Sequence, residues 1–485
     1  MTSFRVRFAP QRTYQPDRNE KTTAVLDKSP SKPTHSRTRS GCRGCRQRRV
    51  KCDETFPVCL RCRRRGSICQ PVLPVSQWQP EVWCLATANP CVQLSQPINA
   101  NADVNMRLLQ YWFERMCQIM SLDPDRNPMS FHLLKYLSAS SSLVYVIQCV
   151  SAAHEQYFQP SQMAVCLEER SKALRDLRQE LQSQSSGSPL SSLIVLMLGM
   201  SSSWITPRPT DYGREHLVAA QAFVDMALEQ PVPVDDDLMH LTMGFYVYWD
   251  MACSFCLDLA HHPPISRPRL AAYVAAARSR FHTITSHSID LYYLLGQIGR
   301  YCRTVTEGLP RDLVRETTFE ADLNSYSSAE EDPSANLLTE AFRNHGLLML
   351  YRLCGRTIYM ALEVAPDEEE AEAEEGKEGD TNEKCPVRAL ALRTLEMLLV
   401  TPISSPHVNL HTIPLLTAGA ELTLKDSELR ERVIEQLQAV YSTNRIPPTL
   451  WVIELLQELW RLRDSGVEMT WLQLMLAKEW RLRIG

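Results

Sequence analysis

Six cysteines near the amino terminus carry the clearest chemistry in the chain. They stand as Cys42-x2-Cys45-x6-Cys52 and, six residues on, Cys59-x2-Cys62-x6-Cys69, so the second triplet repeats the first at an offset of 17 residues. Thiolates are zinc ligands, and a structural zinc takes four of them in a tetrahedron. Six cysteines complete one tetrahedron with two left over, or two tetrahedra if one sulfur of each triplet bridges. The bridged cluster would carry a net charge of about −2, to be offset by neighbouring cations. A single zinc ribbon through Cys42, Cys45, Cys59 and Cys62 is the alternative, but it gives the repeated spacing of Cys52 and Cys69 no role. A disulfide framework belongs to oxidising compartments. The N-terminal residues, with Arg5, Arg7 and Arg12, lack the apolar run of a secretory signal, so metal ligands are expected instead.

The residues between the ligands indicate what the metal supports. Arg46-Gln47-Arg48-Arg49-Val50-Lys51 fills the first six-residue spacer, and Arg61, Arg63, Arg64 and Arg65 surround Cys62. Each spacer is long enough for a short helix pinned at both ends by metal, which supplies folding energy that so small a core cannot. Basic side chains on such a helix suit a DNA groove, some neutralising phosphates and one donating to guanine O6 and N7. A nuclear-import signal is the competing reading of the basic run, and the two are compatible.

Charge separates this region from the rest. Residues 1–70 hold 18 Lys+Arg against 5 Asp+Glu, and the remainder holds 34 against 51, so a balance of +13 and one of −17 are hidden in a chain total of −4. A basic head on an acidic body points to a polyanion-binding module attached to a separate domain.

Residues 1–40, rich in Ser, Thr, Pro and cations, read as disordered. Residues 41–70 form the cysteine module. Residues 71–103 read as a linker, because Pro71, Pro74, Pro80, Pro90 and Pro97 preclude a continuous helix. The same prolines argue against a dimerising coiled coil just after the module, which leaves binding as a monomer or as a homodimer paired through the body.

From Val104 to the end at 485 the pattern is helical. Leu108, Leu109, Trp112, Phe113, Met116, Ile119 and Met120 make one apolar face. Leu143 to Phe158 reads as a buried helix, and Leu167, Leu174, Leu177 and Leu181 recur on one side of the next. Further helices are expected over 190–204, 213–229, 237–259, 288–306, 335–363, 386–400 and 427–441. In a last helix Thr449 is the candidate N-cap, Val452, Leu455, Leu456, Leu459 and Leu462 the buried stripe, and Gly466 the stop. Ten acidic residues between Asp367 and Glu383 read as a solvated, disordered loop over 366–384. The expected fold is mainly α, a small zinc module joined by a Pro-rich linker to a large all-α domain. Its longest apolar run, Leu193 to Met200, is far short of the roughly 20 residues a membrane span needs.

The cysteine block resembles the Zn(2)-Cys(6) binuclear cluster family of fungal transcription factors. Residues 42–53, Cys-Arg-Gly-Cys-Arg-Gln-Arg-Arg-Val-Lys-Cys-Asp, carry the likeness, and Pro57 stands where the family places a loop proline. The resemblance implies two Zn2+ held by Cys42, Cys45, Cys52, Cys59, Cys62 and Cys69, with Cys42 and Cys59 bridging. It further implies that the first helix enters the major groove of DNA, that Arg49 supported by Arg48 reads a CGG triplet, and that Arg46 and Lys51 hold phosphates. Glu54 departs from the family, which commonly has a basic residue in that loop. The segments "LLQYWFERMCQIMSLDPDRNPM", "LVYVIQCVSAAHEQYF", "GREHLVAAQAF" and "FYVYWDMACSF" are similar to the helical regulatory domain of many such factors, a domain without catalytic activity.

The remaining chemistry-bearing residues read as structural. His154-Glu155 lacks a second histidine, Phe158 standing in its place; His261-His262 precedes two prolines; Cys253-x2-Cys256 sits in an apolar helix. Phosphate-cradling glycine loops and nucleophile elbows are absent, so no enzyme is expected. The expectation is a nuclear, zinc-dependent, sequence-specific regulator of RNA polymerase II genes, an activator of a metabolic or biosynthetic gene cluster, working with double-stranded DNA and the transcription machinery. The competing class is a helical scaffold or sensor whose zinc module serves protein contacts.

Overall fold

The computed structural model describes residues 42–53, 59–65, 98–99, 101–155, 162–183, 188–205, 208–229, 236–256, 267–328, 330, 332–354 and 386–484. The segment 1–40, nearly all of the linker, the acidic stretch 366–384, His261, His262 and Cys69 lie outside the described residues. Among those described, two one-turn helices, α1 (Arg43–Gln47) and α2 (Leu60–Arg63), make the cysteine module.

The body is a stack of helices, and extended pairing among the described residues is limited to one isolated bridge between His282 and Ser286. In chain order the longer helices are α3 (Met106–Tyr111), α4 (Ser141–Glu155), α5 (Gln162–Ser183), α6 (Pro189–Ile205), α7 (Arg214–Glu229), α8 (Asp236–Ala252), α9 (Pro268–Ala277), α10 (Ile289–Thr306), α11 (Leu313–Ser325), α12 (Pro333–Cys354), α13 (Pro386–Val400), α14 (Thr412–Gly419), α15 (Ser427–Asn444), α16 (Pro447–Asp464) and α17 (Trp471–Ala477). The apolar all-round helices are the central ones. α4 is buried from Ser142 to Glu155 and packs on α3, α5 and α6, while α10 and α12 pack on one another, flanked by α8 and α13. No described helix is long and apolar enough to cross a membrane.

The body begins before Val104. Ile98 and Ala102 pack on its core, and the Asn99 N–H donates to the Leu137 carbonyl at 3.0 Å, so the end of the expected linker belongs to the body. α3 continues through a π-helical turn, Trp112–Met116, which seats Trp112 fully buried with its indole N–H on the Met129 carbonyl at 2.8 Å.

Three expectations are corrected. On α5, Leu177 is buried but Leu167 and Leu174 are 46% and 43% exposed. The inward side instead carries Glu169, which accepts from Gln148 Nε2 at 2.5 Å, and Glu180, which accepts from the Ser142 N–H at 3.0 Å. These polar anchors rotate the helix away from its leucine stripe. At the start of α16, Ile446 takes the N-cap place, Pro447 opens the helix and Thr449 lies inside it. Proline suits that first turn, where a backbone N–H has no partner to lose. Finally, α8 stops at Ala252, short of residue 259, and α9, α11, α14 and α17 form where no helix was expected. Most of the α16 stripe holds, as does the stop: Val452, Leu455, Leu456 and Leu459 are fully buried while Leu462 is half-buried, and Gly466 takes φ +88°, where a side chain would be strained.

Candidate metal centre and nucleic-acid interface

The module is built from two copies of one local device. Cys42 and Cys59 are the N-caps of α1 and α2, and their sulfurs accept from the Cys45 N–H at 3.3 Å and the Cys62 N–H at 3.4 Å. Burial pushes the Cys59 thiol up, and the backbone N–H bond works against it, toward the thiolate a metal requires. Each helix thus starts directly after the first cysteine of its triplet. The helix expected to fill the first six-residue spacer is instead finished by Gln47.

Beyond Gln47 the chain reverses in a tight turn. The Arg49 N–H donates to the Arg46 carbonyl at 3.0 Å and the Val50 N–H to the Cys45 carbonyl at 3.0 Å, with Arg49 left-handed at φ 57°. This is the Schellman closure of a helix with an arginine in the place usually given to glycine. It puts Arg49 at the helix end, exposed, beside the exposed Arg46 and Lys51.

The five described sulfurs of the module converge. Cys42, Cys45, Cys52, Cys59 and Cys62 are all buried, and the ligand atoms of Cys42, Cys45, Cys52 and Cys59 lie within 4.8 Å of one another. Across the two triplets, Cys42 Sγ stands 3.8 Å from Cys59 Sγ and 3.6 Å from Cys62 Sγ, while Cys45 Sγ stands 3.7 Å from Cys59 Sγ. With a zinc–sulfur bond of about 2.3 Å, the edge of a tetrahedron is about 3.8 Å. The sulfurs therefore stand at zinc-like separations, and the donor set fits the metal. Among the described sulfurs, Cys42 and Cys59 each stand within 3.8 Å of two sulfurs of the opposite triplet. The single-ribbon alternative treats Cys52 as a bystander, whereas its sulfur lies within the convergent set.

Two polar residues tie the halves together. Asp53 accepts from the Leu60 N–H at 2.8 Å and the Arg61 N–H at 3.4 Å, so it caps α2 from the end of the first triplet. Arg48 Nη2 donates to Cys62 Sγ at 3.3 Å across the same divide. Burial works against the Arg48 charge, and hydrogen bonds to Cys45 and Cys62 outweigh it and raise its pKa. Arg48 therefore faces the sulfurs. Sequence reasoning missed both contacts; the one available signal was the Asp placed directly after Cys52. A cleft of about 330 Å³ runs between the halves, lined by Arg48, Arg61, Arg64, Arg65, Asp53, Val50 and Leu60. Four arginines against one aspartate give its lining an excess of positive charge.

In the body, the candidate residues behave as packing. His154 is buried, takes a hydrogen bond from the Tyr111 hydroxyl on Nδ1 at 2.8 Å and donates from Nε2 to the Thr443 carbonyl at 3.3 Å. Burial and the Arg445 charge hold it neutral, well below the usual histidine range. Glu155 is paired with Arg107. Cys253 and Cys256 are buried, and burial pushes both thiols up, that of Cys256 to about 12, which leaves them unreactive.

A clustered zinc-thiolate module with an arginine-lined cleft, set on a many-helix body, defines the class of metal-stabilised transcription factors. Residues 107–485 match the fungal specific transcription factor domain, and residues 40–79 match the fungal Zn(2)-Cys(6) binuclear cluster domain. The chain belongs to the fungal specific transcription factor domain family, and its N-terminal module holds two zinc ions. Over 39 residues, 8% of this chain and 8% of the relative, it is 54% identical to the transcriptional regulatory protein moc3 of Schizosaccharomyces pombe. Over 53 residues, 11% of this chain and 9% of the relative, it is 43% identical to the aspercryptin biosynthesis cluster-specific transcription regulator atnN of Emericella nidulans. Over 52 residues, 11% of this chain and 7% of the relative, it is 42% identical to the lysine biosynthesis regulatory protein LYS14 of Saccharomyces cerevisiae. These likenesses span less than a tenth of each relative's length. No solved structure matches the chain.

Proposed function

We propose that this protein is a zinc-dependent, sequence-specific DNA-binding regulator of RNA polymerase II genes that acts in the nucleus as an activator of a metabolic or biosynthetic gene cluster. Cys42, Cys45, Cys52, Cys59, Cys62 and Cys69 are the ligands, with Cys42 and Cys59 bridging. The observation that carries this assignment is the reach of Cys42 and Cys59 toward the opposite triplet, at 3.6 to 3.8 Å. Bound zinc would supply the rigid junction that Cys42, Cys45, Cys52, Cys59 and Cys62 hold between α1 and α2. The chain's own residues do the rest: Arg46 and Lys51 neutralise phosphates, Arg49 donates to a guanine of a CGG-type triplet in the major groove, and Arg48 offsets the cluster charge while buttressing Arg49. The likeness to regulators of aspercryptin and lysine biosynthesis supports the metabolic reading.

The test is binding of the full chain to duplexes with and without a CGG triplet across a salt series. Selective binding that weakens steeply with salt is expected, because several phosphates are neutralised. Equal weak binding to all duplexes, or a flat salt response, would overturn the assignment in favour of a protein-contact module.

A further inference from the structure

The second half of the module is nearly as basic as the first, and its cations share one cleft. Arg61, Arg64 and Arg65, on and just after α2, are exposed and line the cleft of about 330 Å³ between the halves, with Arg48, Val50 and Leu60. Asp53 is the one acid of the lining. Its two oxygens accept from the Leu60 N–H at 2.8 Å and the Arg61 N–H at 3.4 Å, so the start of α2 already has its carboxylate.

The charge excess does not depend on how the acids are shared. Residues 42–69 hold nine Lys+Arg against two Asp+Glu, and a cluster of two zincs and six thiolates adds about −2. Acids and cluster together offset at most four of the nine cations. The surplus draws a polyanion. Position says where that polyanion runs. Arg48 and Val50 line the cleft, whereas Arg49 between them does not. The left-handed turn at Arg49, φ 57°, therefore sets a base-reading side chain and the cleft wall side by side at one corner of the module.

We propose that this cleft seats the sugar–phosphate backbone of the bound duplex beside the triplet, with Arg61, Arg64 and Arg65 as its phosphate ligands. Guanidinium forks match phosphate oxygens, and Val50 and Leu60, 37% and 43% exposed, give the adjoining sugar an apolar wall. The inference rests on the DNA-binding reading and deepens it: α1 selects the sequence, while α2 adds grip that is blind to sequence.

The test uses the zinc-loaded full chain, the single variants Arg64→Gln and Arg65→Gln, and the triple variant with Arg61→Gln added. Binding is measured across a salt series to duplexes with and without a CGG triplet. Each arginine lost should lower the salt slope by about one, and the triple variant should weaken both duplexes alike by roughly tenfold or more at about 0.1 M salt. The preference for CGG and the two zincs per chain should persist. A second duplex series, each member with one backbone phosphate made a neutral methylphosphonate, locates the contact. At one or two positions flanking the triplet the neutral group should weaken the unsubstituted chain and leave the triple variant unaffected.

Unchanged affinity and slope in the triple variant would overturn the proposal, as would a loss of CGG preference or a methylphosphonate series with no position coupled to the arginines. Loss of zinc in both single variants would overturn it too, by showing that these arginines serve the cluster. In each of these cases an unsubstituted chain that still selects CGG leaves the DNA-binding reading standing. A chain that selects no duplex and shows a flat salt response would remove both.

Discussion

In the N-terminal module five buried thiols occupy the place of a core, and the large side chains Val50 and Leu60 are 37% and 43% exposed. In the body, Trp112, Phe255, Phe342 and Tyr246 are nearly or fully buried among dozens of aliphatic neighbours. A module of about 30 residues cannot bury enough apolar surface to offset chain entropy. Metal–sulfur bonds replace that surface, and a structural zinc contributes on the order of 10 kcal/mol or more to folding. The body needs no such help. The contrast extends to the arginines: in the module they project outward or onto sulfur, whereas in the body most are tied to carboxylates. Basic groups directed outward in one region and paired with acids in the other keep positive charge at the module surface although the chain total is nearly balanced.

The largest test of this contrast is zinc removal. A strong chelator, or Cys52→Ala, should unfold the module and abolish DNA binding while the thermal transition of the body stays in place; a cooperative collapse of both would break the distinction. Leu455→Ala, at a fully buried position of α16, should do the reverse. It should cost the body about 2–5 kcal/mol in denaturant unfolding while zinc content stays at two per chain. At the DNA, Arg49→Ala should lose about 1–3 kcal/mol of discrimination at one guanine, read from binding to triplet variants; uniform weakening would reduce Arg49 to a phosphate contact.

A smaller effect separates backbone from side chain at the same position. Arg49→Gly should stabilise the zinc-loaded module by about 1 kcal/mol, since Arg49 is held at φ 57° and glycine carries no Cβ penalty there, although sequence discrimination is still lost. pH offers a last comparison. In the body, burial lowers the pKa of His282, His345 and His411 to about 3. Their unfolded-state value is near 6.5. The unfolded state therefore binds more protons once pH falls below about 6.5, so the histidine contribution to body stability should be level near neutrality and fall progressively from pH 6.5 toward 3. His345→Asn should flatten part of that slope.

Most of the metal site was legible because its information is local. The ligand types, the repeated spacing and the intervening cations all lie within residues 42–69, and a helix N-cap such as Cys42 or Cys59 needs no distant partner. The long amphipathic helices were legible for the same reason. What failed was orientation and termination. The leucines of α5 do not mark its buried side, because Gln148 and Ser142 on α4 draw Glu169 and Glu180 inward. The short helices α9, α14 and α17 are held by packing that no window of their own sequence records.

Sequence by itself determined that this chain has a thiolate-metal head, a basic surface around it and an all-helical body, since each follows from residue type and spacing. Tertiary structure alone decided which sulfurs approach across the triplets, that Arg48 turns to Cys62 while Arg49 points out, and that Arg483 is buried with its guanidinium over the Trp249 ring. Those outcomes depend on contacts between residues 14 to more than 200 positions apart, and a chain's local pattern carries no record of what distant segments will bring to it.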